Sequence, residues 1–472
     1  MAFQPNKMVL QMQRLLAVIL LCLSSASAAE RPNILLIMAD DLGIEGLGCY
    51  GGTSYRTPNL DRMASEGMKF THAFAQPLCT PTRVQLMTGR YNHRNWKAFG
   101  ILDPKETTMA AHLQASGYAT AIFGKWQLQS YDPPDFPNSD QRRDKGMQLK
   151  DAGFDEYAVF HGRRTEDKGS RYANPKLLSR SANEPEETKT YLGSYGEDIW
   201  VNHIIDFMDR HKDQPAFCYY PMALPHKPFE PTPRSSDWNP DNVPAQDVKY
   251  IVDMVEYIDT VLGRLMKSLG NRGLLENTLV LFYSDNGFHQ SVSSSLSDGR
   301  TVAGGKALPL QTGIHVPLIA YWKDRIQPGI TNGIVDASDF VPTLLEVGQA
   351  EPIDDRPLDG HSFLNTLLGK PGHQRDAAFF WYDPRPGWDK ERFDRSVFAV
   401  DHDHKRFRDG RLFRLSDRPL EETLILSSEM TTADHDASRR LENLINEKMT
   451  GSVEPPLVDA FGAPIVTNRP PK

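Results

Sequence analysis

The sequence predicts an α/β fold: a central, mostly parallel sheet flanked by helices, with a smaller antiparallel-sheet domain at the C-terminus. Four short apolar runs stop abruptly at polar, chemically capable residues, and continuous apolarity suits strands buried on both faces. Segments with helical spacing and helix start and stop signals lie between these runs. Beyond about Pro371 the texture shifts to short strand-like pieces joined by turn residues.

The chain opens with a segment that reads as a signal peptide. Lys7 and Arg14 supply positive charge beside the apolar run Leu15 to Leu23, and Ala26 and Ala28 occupy small-residue cleavage positions. The run is shorter than the roughly 20 apolar residues of a bilayer span. Cys22 follows Leu21, not a small residue, so a lipoprotein anchor is not expected either. The first buried strand, Asn33 to Met38, runs into Asp40-Asp41. Thr57-Pro58 to Glu66-Gly67 reads as a helix with a capping Thr, Pro at its first position and Gly just past its end. Pro81 suits the first turn of a helix running through Arg83 to Met87.

The other buried strands are Tyr118 to Phe123, leading to Gly124-Lys125-Trp126; Ala216 to Tyr220, leading to Pro225-His226; and Thr278 to Tyr283, leading to Asp285-Asn286-Gly287. Helices are expected at Asp247 to Leu269, Asp339 to Val347 and Ser362 to Leu368. Ser291 to Ser297 reads as a solvated loop. Asp409-Gly410 suits a two-residue turn, so Lys405 to Arg408 and Arg411 to Leu415 form a hairpin. Asp436 to Met449 reads as helix, and the Pro-rich tail from Gly451 as loosely held. The expected organisation is a signal peptide over 1–28, one large domain over 29–370, and a small C-terminal domain with its tail over 371–472.

Composition narrows the function classes. Hydrophobic residues make up 39% and charged residues 24% of the 472 positions, an ordinary globular balance. With 53 basic and 61 acidic residues the net charge is −8, which disfavours nucleic acid as a partner. An anion must therefore be captured by a few placed cations. Cys22 would leave with the signal peptide. Cys49, Cys79 and Cys218 remain, and an odd count in an exported protein flags an unpaired, reactive thiol. No Asn-x-Ser/Thr acceptor occurs, which leans toward bacterial export, periplasmic or extracellular.

Ligands of open α/β sheets bind beyond the carboxyl ends of the strands. The residues after the four apolar runs would thus form one site from distant segments. Pro77-Leu78-Cys79-Thr80-Pro81-Thr82-Arg83 opens an expected helix, and the free N–H groups of a helix N-terminus suit an oxyanion. Cys79-x-Pro81-x-Arg83 is similar to the motif read by formylglycine-generating enzymes. With Asp40-Asp41 before it and Asp285-Asn286 after it, the chain resembles the formylglycine-dependent sulfatases of the alkaline phosphatase superfamily, from about Arg31 to Leu368 and more weakly through the hairpin.

The resemblance implies an alkaline-phosphatase-like sheet and hydrolysis of sulfate esters, with export pointing to sulfated carbohydrates. In that family the cysteine is oxidised to an aldehyde, whose hydrate attacks sulfur, expels the alcohol and then eliminates sulfate. One Ca²⁺ is implied, held by Asp40, Asp41, the converted Cys79, Asp285 and Asn286, and such oxygen donors select a hard cation. By the same resemblance Arg83 orients the diol, Lys125 bridges diol and sulfate, His226 binds sulfate, and Lys306 contacts sulfate and the leaving oxygen. His226 and Lys306 are the candidate general acids. Expected partners are a sulfated small molecule or glycan and a formylglycine-generating or sulfatase-maturating enzyme, with no membrane span.

Three departures from the family pattern stand out. Gln127 lies where the family has His; Gln makes hydrogen bonds but exchanges no proton near neutral pH. Either another base, such as Asp285, takes that task, or turnover is altered. After Lys306, the residues Gln311, Thr312-Gly313 and His315 replace a common pattern of Glu, paired Gly and Arg, which touches the support of the site. Thr82 stands where Ser is more frequent and keeps the hydroxyl. His161 and His289 could also face the pocket, and Asp401-His402-Asp403-His404 reads as an exposed face or a metal site. Two other readings stay open: a phosphonate or phosphate ester hydrolase using the same formylglycine, and a non-catalytic glycan-binding relative that lost turnover through Gln127.

Overall fold

The first apolar run is wholly buried because its alternate side chains enter two different cores. Ile34, Leu36 and Met38 face one, while Leu35, Ile37 and Ala39 face the other. A polar side chain on either face would be stranded, which is why such strands lack the alternation of a half-exposed strand. The computed structural model describes residues 31–130, 143–162, 170–182, 184–372, 375–387 and 389–452. The expected signal peptide and nearly all of the Pro-rich tail lie outside the described residues, as does part of the segment Tyr131 to Leu149.

The strands in chain order are β1 (Asn33–Ala39), β2 (Met68–Phe74), β3 (Ala119–Lys125), β4 (Glu156–Phe160), β5 (Lys176–Arg180), β6 (Glu187–Thr190), β7 (Ala216–Pro221), β8 (Thr278–Ser284), β9 (Ser293–Ser295), β10 (Thr301–Ala303), β11 (Leu318–Tyr321), β12 (Gly329–Asp336), β13 (Ala378–Tyr382), β14 (Ser396–Val400), β15 (His404–Phe407), β16 (Leu412–Leu415) and β17 (Glu422–Ile425). Ten form one sheet in the order β12-β2-β11-β8-β1-β7-β3-β4-β5-β6. The four expected buried strands are its contiguous centre, β8-β1-β7-β3, all parallel. Their carboxyl ends therefore lie along one edge.

Helices Cys79–Thr88, Met109–Ala115 and Phe340–Gly348 cover one face, and helices Pro58–Glu66, Gly196–Arg210 and Ile251–Asn271 cover the other. The longest of these buries Ile251, Met254, Val255, Ile258, Val261, Leu262, Leu265 and Leu269, a stripe at three- and four-residue spacing. Each such side chain is worth about 2 kcal/mol of burial. The same helix caps a neighbour. Asp259 accepts the N–H groups of Asn59 and Leu60, both at 2.8 Å. Thr57, expected to cap that helix, does not. Its hydroxyl accepts from Gly48 N and donates to Asp61, because a buried aspartate from across the interface already satisfies the helix N–H groups.

The C-terminal sheet is a five-stranded antiparallel meander, β13-β14-β15-β16-β17, the smaller antiparallel domain expected there. The predicted hairpin is its β15–β16 pair, with Gly410 at φ 98° in the turn. Phe380 and Phe398 stack with ring centroids 4.4 Å apart, and with Phe74, Ile314 and Ile334 they join this sheet to the edge of the large one. Helix Thr432–Met449 closes its other side, burying Leu441 and Ile445. Two local expectations are corrected. Ser291 to Ser297 is not a plain loop: β9 and β10 pair across a turn containing Asp298-Gly299, whose φ of 85° at Gly299 sets the reversal. Asp401 to His404 is exposed only in part: His402 and Asp403 face solvent while Asp401 and His404 are buried, and the four do not form one of the metal-ligand groups found among the described residues. His404 is buried with Nε2 2.8 Å from Asp434 Oδ1, His402 Nε2 lies 2.8 Å from Asn332 O, and Asp401 accepts the His404 N–H.

Candidate active site

The carboxyl edge of β8-β1-β7-β3 gathers the polar residues that follow each strand. Asp40 and Asp41 leave β1 in a turn with Asp41 at φ 73°, a left-handed conformation that aspartate tolerates better than most residues. Asp41 N donates to Asp285 Oδ1 at 3.0 Å, and Asn286 Nδ2 donates to Asp41 Oδ1 at 2.8 Å, so β1 and β8 are tied at their ends. Lys125 ends β3. The residue before it must be glycine: at Gly124, with φ 138°, a Cβ would lie 1.9 Å from the Pro221 carbonyl oxygen of β7. Only that close approach brings Lys125 Nζ to 2.7 Å from Asp40 Oδ2.

Helix Cys79–Thr88 points its N-terminus at this edge, with Cys79 as its first residue and Pro81 in its first turn. Thr82 anchors the helix by donating to the Asp285 carbonyl oxygen at 2.6 Å. One turn in, Arg83 donates to Asp285 Oδ2 from Nη2 at 2.8 Å and from Nε at 3.2 Å, and to the Lys125 carbonyl oxygen at 3.2 Å. Lys306 reaches in from the opposite side, Nζ 2.6 Å from Asp41 Oδ2, and His226 Nε2 lies 3.8 Å from the same oxygen. Three carboxylates thus face three cations in a buried cluster.

The fields are strong because the groups are dry. Burial opposes ionisation of Asp40, but the positive charges around it, that of Lys125 first and those of Arg83 and Lys306 with it, outweigh it and hold the carboxyl well below its ordinary value. Asp285 goes the other way: burial, then the charge on Asp40, push it up to about 7. Burial, then the Lys306 charge, push His226 well below its usual range. Burial works against the Lys306 ammonium, yet the charge on Asp41 raises it overall.

Two donor sets among the described residues have ligand atoms within 4.8 Å of one another: Asp40, Asp41 and His226, and Asp40, Cys79 and Asp285. Asp40 Oδ1 and Asn286 Oδ1 are buried there with no hydrogen-bond partner. Orphaned oxygen acceptors among carboxylates fit a hard divalent cation. A cavity of ≈ 360 Å³ opens beside this cluster, lined among others by Leu78, His226, His289, Lys306, Lys390 and Arg392. A larger groove, ≈ 920 Å³, lies against helices Pro58–Glu66 and Ile251–Asn271 and contains none of these groups.

Asp40, Asp41, Cys79, Arg83, Lys125, His226, Asp285, Asn286 and Lys306 come together as the sequence suggests. Gln127 lies two residues past Lys125, beyond the end of β3, buried, with Oε1 unpartnered. His289 joins the cavity wall. Sequence reasoning missed the residues that brace the His226 loop. Glu197 accepts the N–H groups of Ala223 and Leu224 at 2.9 and 3.1 Å, and Tyr172 donates its hydroxyl to the Ala223 carbonyl at 2.8 Å and to that of His226. Lys390, on the cavity wall from the C-terminal region, was missed too, because only the fold brings it near Cys79; burial pushes its ammonium down to about 8.

Comparisons with known proteins place the chain in a family and a fold. The sulfatase family profile matches residues 32–350. Human arylsulfatase A is 32% identical over 397 residues, covering 81% of this chain and 76% of its own. An N-acetylgalactosamine-6-O-sulfatase of Bacteroides thetaiotaomicron is 27% identical over 408 residues, covering 74% and 78%. A solved structure in complex with its substrate D-glucosamine-2-N,6-O-disulfate superposes with a TM-score of 0.65 at 22% identity, over 89% of this chain and 98% of that one. A phosphonate monoester hydrolase of Agrobacterium radiobacter superposes with a TM-score of 0.58, also at 22% identity, over 89% and 95%. These two speak to the fold. On the profile match and the identity to arylsulfatase A, the chain belongs to the sulfatase family of sulfuric ester hydrolases.

Proposed function

We propose that this chain hydrolyses sulfate esters of sulfated carbohydrates, using a nucleophile made by oxidation of Cys79 to formylglycine by a separate maturation enzyme. The observation that carries the reading is the cluster itself: three buried carboxylates, three cations and Cys79 at a helix N-terminus, all at one sheet edge. A divalent cation, Ca²⁺ by the chemistry of the donors, would be held by Asp40, Asp41, Asp285, Asn286 and the converted Cys79, and would supply polarisation of the nucleophile and screening of the sulfate charge. Arg83 fixes Asp285 and, beside Cys79, keeps the anionic side chains in register. Lys125 and Lys306 present their ammonium groups where sulfate oxygens would lie, and the helix N–H groups add to that field. His226 holds its ring through the loop braced by Glu197 and Tyr172, and with Lys306 supports the departing oxygen.

The substrate class rests on relatives that act on, or are solved with, sulfated sugars, and on the export signal read from the sequence. We read the chain as a signal peptide over 1–28, a catalytic domain over 29–370 and a C-terminal domain over 371–472, exported to periplasm or exterior. Among the described residues no helix is long and apolar enough to cross a membrane. The test is a panel of sulfated saccharides against phosphonate monoesters on matured protein, with mass spectrometry of the Cys79 peptide. An aldehyde at Cys79 and faster turnover of sulfate esters are expected. A preference for phosphonate esters, or a persistent thiol with no turnover, overturns the proposal.

A further inference from the structure

The cavity beside the carboxylate cluster, ≈ 360 Å³, has the size of a small-ligand site. Its wall is unevenly charged. Among the described residues, Lys227, Lys306, Lys390 and Arg392 line it against one carboxylate, Asp389. Asp41 answers Lys306 at 2.6 Å, and Asp389 answers Arg392, a mostly exposed side chain, at 3.0 Å. Four cations thus meet two carboxylates, and the wall keeps a surplus of positive charge.

Two distant parts of the chain hold these cations in place. Lys227 follows His226 in the loop braced by Glu197 and Tyr172, with Nζ 5.8 Å from the centroid of the Phe229 ring. Lys390 and Arg392 lie on the connection between β13 and β14, which is pinned to the large domain. Trp96 Nε1 donates to Arg385 O at 2.6 Å, and Phe99 N donates to Pro386 O at 2.9 Å. At the end of β13 the Tyr382 hydroxyl donates to the carbonyl of Ala307, the neighbour of Lys306, at 3.1 Å. The Lys390 ammonium rests 4.4 Å from the Phe99 ring centroid, a contact that orients a cation without cancelling its charge. Burial, joined by the charges of Lys306 and Arg392, pushes that ammonium down to about 8, so the fold holds it charged at a cost. Strained ionisation in a cleft is typical of ligand sites, and an anion is the ligand that relieves it here.

The sulfate that reacts does not use up this charge. A sulfate ester is a monoanion, and Lys125, Lys306 and the divalent cation of the reading above already face it. The further cations on the cavity wall are left for another part of the substrate. Resting on that sulfate-ester reading, we propose that Lys227 and Lys390, with Arg392 at the mouth, form a second anion subsite. The preferred substrate is then a saccharide with a further anionic group, a second sulfate or a uronate carboxylate, besides the sulfate that is cleaved.

The test uses the matured, Ca²⁺-loaded full chain and three saccharides that share the cleaved sulfate. One is otherwise neutral, one carries a neighbouring uronate, and one carries a second sulfate. The readout is the ratio of kcat/KM for each dianion to that for the otherwise neutral saccharide. That ratio does not depend on how much of a variant is folded, so loss of protein cannot mimic the effect. We expect a parent ratio of about tenfold to a hundredfold for at least one dianion, the span of one charged hydrogen bond, carried by KM; the larger ratio identifies the anion. Lys227→Met and Lys390→Met should each lower it at least about threefold, and the double variant should bring it within about threefold of unity. A parent ratio within about twofold of unity for both dianions, too small for a charged hydrogen bond, overturns the subsite, as does a large ratio that none of the variants moves. If none of the three saccharides is cleaved, the sulfate-ester reading fails and takes the subsite with it. If the otherwise neutral saccharide is cleaved as well as both dianions, only the subsite fails.

Discussion

Arg83→Met, followed by urea unfolding in chelator-containing buffer from pH 6 to 9, isolates the electrostatic frame of the site. Arg83 is 1% exposed and donates twice to Asp285 Oδ2, at 2.8 and 3.2 Å, and once to the Lys125 carbonyl at 3.2 Å. Met keeps much of the side-chain volume, so the packing cost is small. What remains is a buried Asp285 whose carboxylate keeps the Asp41 N–H at 3.0 Å. Removing one partner of a buried ion pair costs about 3–5 kcal/mol if the orphaned group must stay charged. Asp285 can escape by taking a proton, because burial and the Asp40 charge already push it up to about 7.

The sign follows from linkage. An unfolded aspartate titrates near 3.9, roughly, so the native state holds the proton more tightly and loses stability as pH climbs from about 4 to about 7. In the parent that loss ends near pH 7. Without Arg83 the carboxyl rises further, and the variant keeps losing stability past the point where the parent has levelled. The expected deficit is about 2–3 kcal/mol at pH 7, widening by about 1.4 kcal/mol for each pH unit above it. A deficit under about 0.5 kcal/mol, the scatter of a neutral surface change, or one flat from pH 7 to 9, refutes the reasoning.

Three further outcomes are expected. Gly124→Ala drives a Cβ to within 1.9 Å of the Pro221 carbonyl at φ 138°, so it should cost more than about 3 kcal/mol in a thermal melt and, by displacing Lys125, abolish turnover; a stable, active variant would contradict the packing. Asp434→Ala removes an acceptor shared by Thr431 N at 2.8 Å, His404 Nε2 at 2.8 Å and Arg414 Nη2 at 2.7 Å, and should cost about 2–3 kcal/mol. Those bonds, led by Thr431, hold the carboxyl far below its usual range, so the contribution is present above about pH 4 and lost as pH falls further. His315, pushed down to about 4 by burial and then by His72, stays neutral in the fold while the unfolded chain takes up its proton first. The His315 contribution to stability should fall by about 1.4 kcal/mol for each unit that pH drops from about 6.5 to 4, so His315→Gln should be less destabilised by acid than the parent in urea melts over that window; equal slopes in the two would count against it.

The central sheet was legible because burial on both faces leaves a one-dimensional mark. A strand such as Thr278–Ser284 has no solvent face, so its apolar run is continuous and its end is announced by Asp285-Asn286. The C-terminal β15–β16 hairpin was legible through Asp409-Gly410, whose turn geometry is local. The outer meander strands were not: Ala378–Tyr382 reads as apolar in any element, and only pairing with Ser396–Val400 makes it a strand. Thr57 has the composition of a cap, yet Asp259, 200 residues beyond the Asn59 whose N–H it accepts, performs the task.

The same division holds at the site. Sequence by itself determined which residues stand at the ends of buried strands and at a helix start, because propensity and hydrophobic period are properties of neighbours along the chain. Tertiary structure alone decided which of them meet: that Lys125 pairs with Asp40 and Lys306 with Asp41, that Glu197 and Tyr172 brace His226, and that His161 comes to rest beside Gln127 with its nitrogens bare. Contacts between distant segments depend on sheet order and register, and neither is written in any local stretch of residues.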